Sequence, residues 1–335
     1  MTTRRTKMRP IRTIGSGLLG LTLAAAMSTS TAPVGAVPLQ ASPTAAAAKP
    51  CTYFPANNWW HADISKLPVD RRSAAWRKSI GTRGNLHPDF GPSYGDGPNY
   101  GIPITKVTST AHRVKVTFGY AAESDRVRYP LSAKTKIEGG RNSTGDRHAV
   151  VVDTERCKLY ETYLTRHTSK GWKAGSGAVW NLRSNKLRPD GWTSADAAGL
   201  PILPGLLRYR EVRDGRVDHA IRFTVPQTAA AHLWPARHDA GSGSASINPP
   251  MGARFRLKQS YSDPSLGKQA QTVIKAMKKY GLVVADNGSP WFFQGERNSH
   301  WETSLVEDLK QIPASAFEAV DTSSLQVSRN SAATG

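Results

Sequence analysis

Short runs of alternating apolar and polar side chains dominate the chain between residues 113 and 286, and that period buries a face only as β-strand. RVKVTFGY (113–120) puts Val114, Val116, Phe118 and Tyr120 on one side. RHAVVVD (147–153) and KLYETYL (158–164) flank TERC, a spacing that suits a hairpin. LLRYREV (206–212) and VDHAIRFTV (217–225) flank a turn in which Asp214-Gly215 is a strong signal. ARFRLK (253–258) alternates again, and GLVVAD (281–286) is a short buried run before Asn287-Gly288.

Helices are few. The clearest spans 263–280, with Asp263 as N-cap, Pro264 at the first turn and Gly281 just past the end. Weaker ones are expected at 303–311 and 73–80. The pattern predicts a mainly β fold, an antiparallel β-sandwich or jelly-roll with one or two C-terminal helices. The stretches 81–103, 168–205 and 236–250 exceed ordinary connections and are rich in Trp, His, Asp, Asn and Arg. They read as ordered walls of a cleft.

The N-terminus constrains the compartment. Arg4, Arg5, Lys7, Arg9 and Arg12 precede an apolar stretch from Ile14 to about Met27, then small residues. Residues 1–41 read as a secretory signal peptide, too short in its apolar part to span a membrane. Residues 42–50 read as a linker, 51–327 as a single β-rich domain and 328–335 as a disordered tail. A secreted chain with two cysteines is expected to bridge them, Cys51 to Cys157. The net charge of +20 falls to +15 without the five n-region cations, which favours polyanionic partners or simply solubility. Nucleic acid is disfavoured, because the basic residues scatter and no nucleic-acid-binding signature occurs.

No strong catalytic motif is present, so chemistry must come from constellations. His148 and His219 lie on otherwise apolar strand faces, as does Glu161. Together they could form an acid–base group or ligate a metal, or each could be a satisfied core group. In RPDGWTSADAAGLPILPG (188–205), Asp190 and Asp196 flank Trp192, a pattern suited to sugar stacking and to a general acid, or to a capped loop. LWPARHDAG (233–241) offers Trp234, Arg237 and His238 for an anionic substrate or for proton transfer. Arg254, Arg256 and Lys258 alternate on one strand face, as a cationic row for a polyanion or an ordinary solvent face.

The strings LRSNKLRPDGWTSADAAGLPILPG, HAIRFTV, WPARH and YGLVVADNGS resemble a group of exported bacterial proteins, mainly of actinomycetes. The resemblance covers roughly residues 54–322. It implies one shared domain and brings no catalytic assignment.

The expectation is a secreted carbohydrate-active enzyme, a glycoside hydrolase or a polysaccharide lyase, acting on an extracellular or cell-wall polysaccharide. A hydrolase would draw two carboxylates from Asp190, Asp196, Glu161 and Glu211. A lyase would use His148, His219 or His238 as base, with Arg222 or Arg237 on the substrate carboxylate. A metal-dependent hydrolase would need His148, Glu161 and His219 to converge. The alternative is a non-catalytic wall-binding module. No cofactor is clearly implied, and a monomer without a membrane span is expected.

Overall fold

Leu282–Asn287 and Ile221–Val225 run parallel at the centre of a six-stranded sheet in the computed structural model, which describes residues 51–93, 97–140 and 142–335. The expected signal peptide and linker lie outside the described residues. The sheet's order is His87–Asp89, Phe292–Gln294, Ile221–Val225, Leu282–Asn287, Arg254–Leu257 and Phe317–Val320. Both residue sets of Ile221–Val225 and of Arg254–Leu257 are buried, so their alternation does not separate a wet face from a dry one. The second face carries arginine, with Arg222, Arg254 and Arg256 all inside the protein.

A second sheet contains Ile104–Val107, Ala149–Asp153, Lys158–Thr162 and Gly177–Asn181. The hairpin around TERC forms as its sequence predicts, with Val150 opposite Glu161. Val150 and Val152 enter the main core, while Ala149 and Val151 face a smaller cluster with Phe118, Tyr129 and Trp172. That cluster joins the second sheet to a three-stranded one of Val116–Phe118, Gly171–Ala174 and Arg166–Thr168. The protein is mostly β, as expected. Each sheet, however, mixes parallel with antiparallel pairs, which departs from the antiparallel sandwich or jelly-roll. Adjacent parallel strands need long crossovers. The stretch 236–250 lies in the one between Ile221–Val225 and Leu282–Asn287, whereas 168–205, expected to be irregular, holds the strands Gly171–Ala174 and Gly177–Asn181.

LLRYREV is not a strand. Its second half forms the short helix Tyr209–Arg213, and Gly215 follows the cap residue Asp214 at φ +75°. The Asp-Gly signal therefore ends a helix where a hairpin was expected. The Arg208 guanidinium holds the carbonyls of Leu203 and Leu206, which turns the chain at this point. The late helix is Lys268–Lys279, and it buries Ala270, Val273, Ile274 and Met277 on the expected face. It starts after Asp263, whose carboxylate instead accepts the backbone N–H of Ser265 at 3.1 Å in a local turn. Gly281 has φ +74°, and a Cβ there would lie 2.3 Å from the Phe255 carbonyl oxygen, so glycine is required. Ser73–Ile80 and Thr303–Leu309 complete the expected helices.

Two further expectations are corrected. The row Arg254, Arg256 and Lys258 is no solvent-facing track for a polyanion. Arg254 is wholly buried and donates to the carbonyls of Tyr280, Trp59 and Ala62. Arg256 binds Glu318 and the carbonyls of Ile64, Ser65 and Leu67, so the pair clamps the segment 59–67 to the sheet. Residues 328–335 are no free tail either. Ala332 is buried, Ser331 pairs with Lys186 and accepts from the Trp234 indole, and Ala333 pairs with Asn58.

Cys51 and Cys157 are bridged, tying the first described residue to the hairpin turn across a sequence separation of 106. No helix among the described residues is long and apolar enough to cross a membrane. Replacing both cysteines with serine is expected to lower stability by up to ~4.7 kcal/mol, the chain-entropy value for so long a loop. Calorimetry should show Tm falling by roughly 8–15 °C. A drop of under about 2 °C would mean that the bridge constrains nothing.

Candidate active site

The central strand Leu282–Asn287 departs from regular pairing near its end, where the register with Ile221–Val225 shifts between Val284 and Asp286. A bulge of this kind re-aims a side chain. It leaves Asp286 lining a cavity of about 380 Å³ with Asp196, Asp146, Glu123, His238 and Tyr163. The cavity opens at the carboxyl end of a parallel strand pair, where open sheets commonly place ligands.

Asp286 Oδ1 accepts the backbone N–H of Asn287 at 2.7 Å, and no other described residue hydrogen-bonds or ion-pairs with this carboxyl. Burial, reinforced by the charge of Asp196, lifts its pKa to about 7 against the pull of Arg222 and His148. Asp196 is held differently. Arg222 grips it through Nη2 at 2.7 Å and Nε at 3.2 Å in a fully buried ion pair. One cavity thus holds two carboxyl groups with opposed environments, one arranged to keep its proton and one paired as an anion.

A belt of charge lies beneath. His148 turns Nδ1 to Glu138 at 2.6 Å and Nε2 to the Ala195 carbonyl at 3.0 Å. Burial alone would lower its pKa, but Glu138 outweighs it and lifts the value to about 9. The ring is an imidazolium that donates on both sides. Glu161 is wholly buried and accepts the N–H groups of Ile202 and Leu203, each at 2.9 Å. Burial raises its pKa to about 7. His148 and Glu161 therefore shape the site from within and cannot meet a substrate.

His219 has another partner than the two expected. Its Nε2 lies 3.1 Å from Glu211, not against Glu161 or His148, and its Nδ1 lies 2.7 Å from the Ala220 carbonyl. Burial and the Arg208 guanidinium hold its pKa down. Glu211 is in turn bonded to Arg208. These groups form a closed polar cluster, so His219 is no accessible base and Glu211 no free acid. His148, Glu161 and His219 do not converge, and no group of three or more His, Cys, Asp or Glu among the described residues is placed to hold a metal ion.

Of the remaining candidates, Asp190, Trp234 and Arg237 line a separate concavity of about 400 Å³ with His232. Asp190 contacts His232 at 3.1 Å and Arg237 at 3.5 Å on the surface. Arg237 and Trp234 also bind the C-terminal segment through the Arg329 and Ser331 carbonyls. From the loop 233–241, His238 and Ala240 line the Asp286 cavity, and His238 Nδ1 lies 2.8 Å from the Ala197 carbonyl. Trp192 lines a groove of about 640 Å³ with Trp180, and the Arg188 guanidinium lies 5.5 Å from the Trp180 ring centre and 5.4 Å from that of Trp192. Groove and cavity adjoin along the chain. Asp125 and Trp192 line the groove, whereas Glu123 and residues 193–197 line the cavity, and Glu123 accepts the Thr193 N–H at 3.0 Å.

Of the residues singled out in the sequence, Asp196 and His238 line this cavity, whereas Arg222 is buried against Asp196 and does not reach a substrate carboxylate. Asp286, Asp146, Glu123 and Tyr163 were not singled out. For Asp286 a signal existed, since a carboxylate ends the apolar run LVVAD. Asp146 sits in a polar loop and Glu123 ends the one-turn 3-10 helix Ala121–Glu123, both without any such contrast.

The belt makes stability depend on pH. A pKa raised in the folded state stabilises fully below the unfolded value and is lost as pH climbs through the folded one. For His148 the window runs from 6.5 to about 9. Thermal unfolding should therefore show a loss on the order of 2 kcal/mol between those limits, and the His148→Gln protein should lack that slope. An equal slope in both proteins would remove His148 as its source.

Comparison with protein-family models, with curated proteins and with solved structures finds no match.

Proposed function

We propose that the protein is an exported carbohydrate-active hydrolase whose general acid is Asp286. The observation that carries this reading is the pairing, in one cavity, of a carboxyl group with pKa about 7 and a carboxylate held in an ion pair. Glycosidic cleavage needs a protonated acid beside the leaving oxygen and a second carboxylate to activate water or attack the sugar. Asp286 suits the first role. Asp146, exposed at the rim, and Glu123 are the open candidates for the second. The adjoining groove supports a glycan substrate, because the indole of Trp192 offers a face for a pyranose ring.

Lyase chemistry has less support. Of the three histidines offered as base, His148 is a buried cation and His219 is sealed, leaving only His238. The tryptophan groove also fits the second reading, a wall-binding module without turnover. The test is mass spectrometry of products after incubating the purified protein with neutral and anionic polysaccharides. Ordinary oligosaccharides would support the hydrolase, and products lighter by one water would replace it with a lyase. Retention on a polymer without any product would leave the binding module.

A further inference from the structure

A further concavity, of about 740 Å³, carries charge that the acid cavity does not explain. Its walls include Lys106, Lys136, Arg210 and Arg297, together with Tyr209 and Asn298. All four cations are exposed, and no described residue hydrogen-bonds or ion-pairs with their side chains. The acids in the same walls are already engaged. Glu211 is bonded to Arg208 and His219, and Glu296 accepts the Tyr209 N–H and the Asn298 side-chain amide, each at 3.0 Å.

These cations come from distant parts of the chain. Lys106 lies on the Ile104–Val107 strand, Arg210 on the Tyr209–Arg213 helix, and Arg297 follows the Phe292–Gln294 strand. Lys136 is set against the first of these, since its N–H donates to the Thr105 hydroxyl at 3.0 Å. Like charges gathered in a concave wall repel one another, and their field concentrates an anion from solution. The ring of Tyr209 is half-buried, stacked with His300 at 5.3 Å between ring centres and T-shaped to Trp301 at 5.4 Å, which fixes it in the wall.

We propose that this groove binds an acidic oligosaccharide, its carboxylates or phosphates meeting Lys106, Lys136, Arg210 and Arg297 while a sugar ring lies on Tyr209. The chemistry of Asp286 plays no part in this binding, so the two readings stand or fall separately.

The test is isothermal titration of the purified protein at low salt with tetragalacturonate, with a phosphate-bearing mannan oligosaccharide, and with neutral cellotetraose. At least one acidic ligand should bind ten-fold or more tightly than the neutral one, and added salt should weaken that binding. The Lys106→Gln, Lys136→Gln protein should lose about ten-fold in affinity for that ligand, whereas Lys268→Gln, Lys275→Gln, which removes equal charge outside the groove, should lose less than about two-fold. Asp286→Asn should bind as the parent does. Preference for the uronate would assign carboxylated glycans, and preference for the mannan would assign phosphorylated ones. Equal binding of all three ligands, or equal loss in the two lysine pairs, would overturn the proposal.

Discussion

Asp286→Asn should lower kcat on the cleaved glycan by roughly 10²–10⁴-fold, the range expected for loss of a general acid. The amide keeps the shape of the side chain and its contact with Asn287 but has no proton of suitable acidity to deliver. Stability should move the other way. The carboxyl pKa is raised from 3.8 to about 7, so its stabilising share is complete below pH 3.8 and is lost as pH rises through 7. Above neutrality the ionised group sits against Asp196 at a net disadvantage, which asparagine removes. The variant should therefore melt higher than the parent at pH 8 and nearly together with it at pH 4. The parent's activity should fall as pH rises past about 7, as its acid deprotonates. Undiminished turnover by Asp286→Asn would end this assignment, whatever the melting curves show. Loss of a strained or electrostatically opposed group often raises stability at a functional site.

Arg222→Met should be the most damaging single change to the fold. It strands Asp196, whose side chain is wholly buried, without a counter-charge. Breaking a buried pair from one side typically removes about 3–5 kcal/mol. Denaturant unfolding measures this, and the double variant Arg222→Met, Asp196→Leu should recover much of the loss, because an apolar pair of similar volume needs no counter-ion. A single variant within about 1 kcal/mol of the parent would mean that water reaches Asp196 and that the pair is not sealed. The same change should raise the Asp286 pKa further, since Arg222 pulls it down in the parent. In any double variant that still folds, the alkaline limb of activity should report the net of that shift and of the loss of the Asp196 charge.

Much of the local structure was legible in the chain. The TERC hairpin, the apolar face of the Lys268–Lys279 helix and the Cys51–Cys157 bridge follow from period, turn chemistry and compartment. The Arg213–Arg216 turn misled because Asp-Gly ends a helix as readily as it joins two strands, and contacts such as that of the Tyr209 N–H with the distant Glu296 carboxylate are not visible in the local pattern. Lys258 aside, the alternating basic row looked like solvent because arginine usually is. Three buried arginines, each satisfied by carbonyls or a carboxylate, are invisible to a pattern that counts polarity alone.

The sequence by itself determined which residues could be chemical and which strands could exist, because side-chain type and period are local properties. Tertiary structure decided which polar groups are used up. Glu161, Glu211, His148 and His219 were equally plausible as catalysts until their partners were known, and each proved to be held by its neighbours. Asp286 became the candidate acid because a bulge leaves it lining a cavity that Asp196 also lines, with the Asn287 N–H as its one hydrogen-bond donor among the described residues. A carboxyl's acidity depends on what surrounds it, and residues 90 positions apart in the chain come to line one cavity only through the fold.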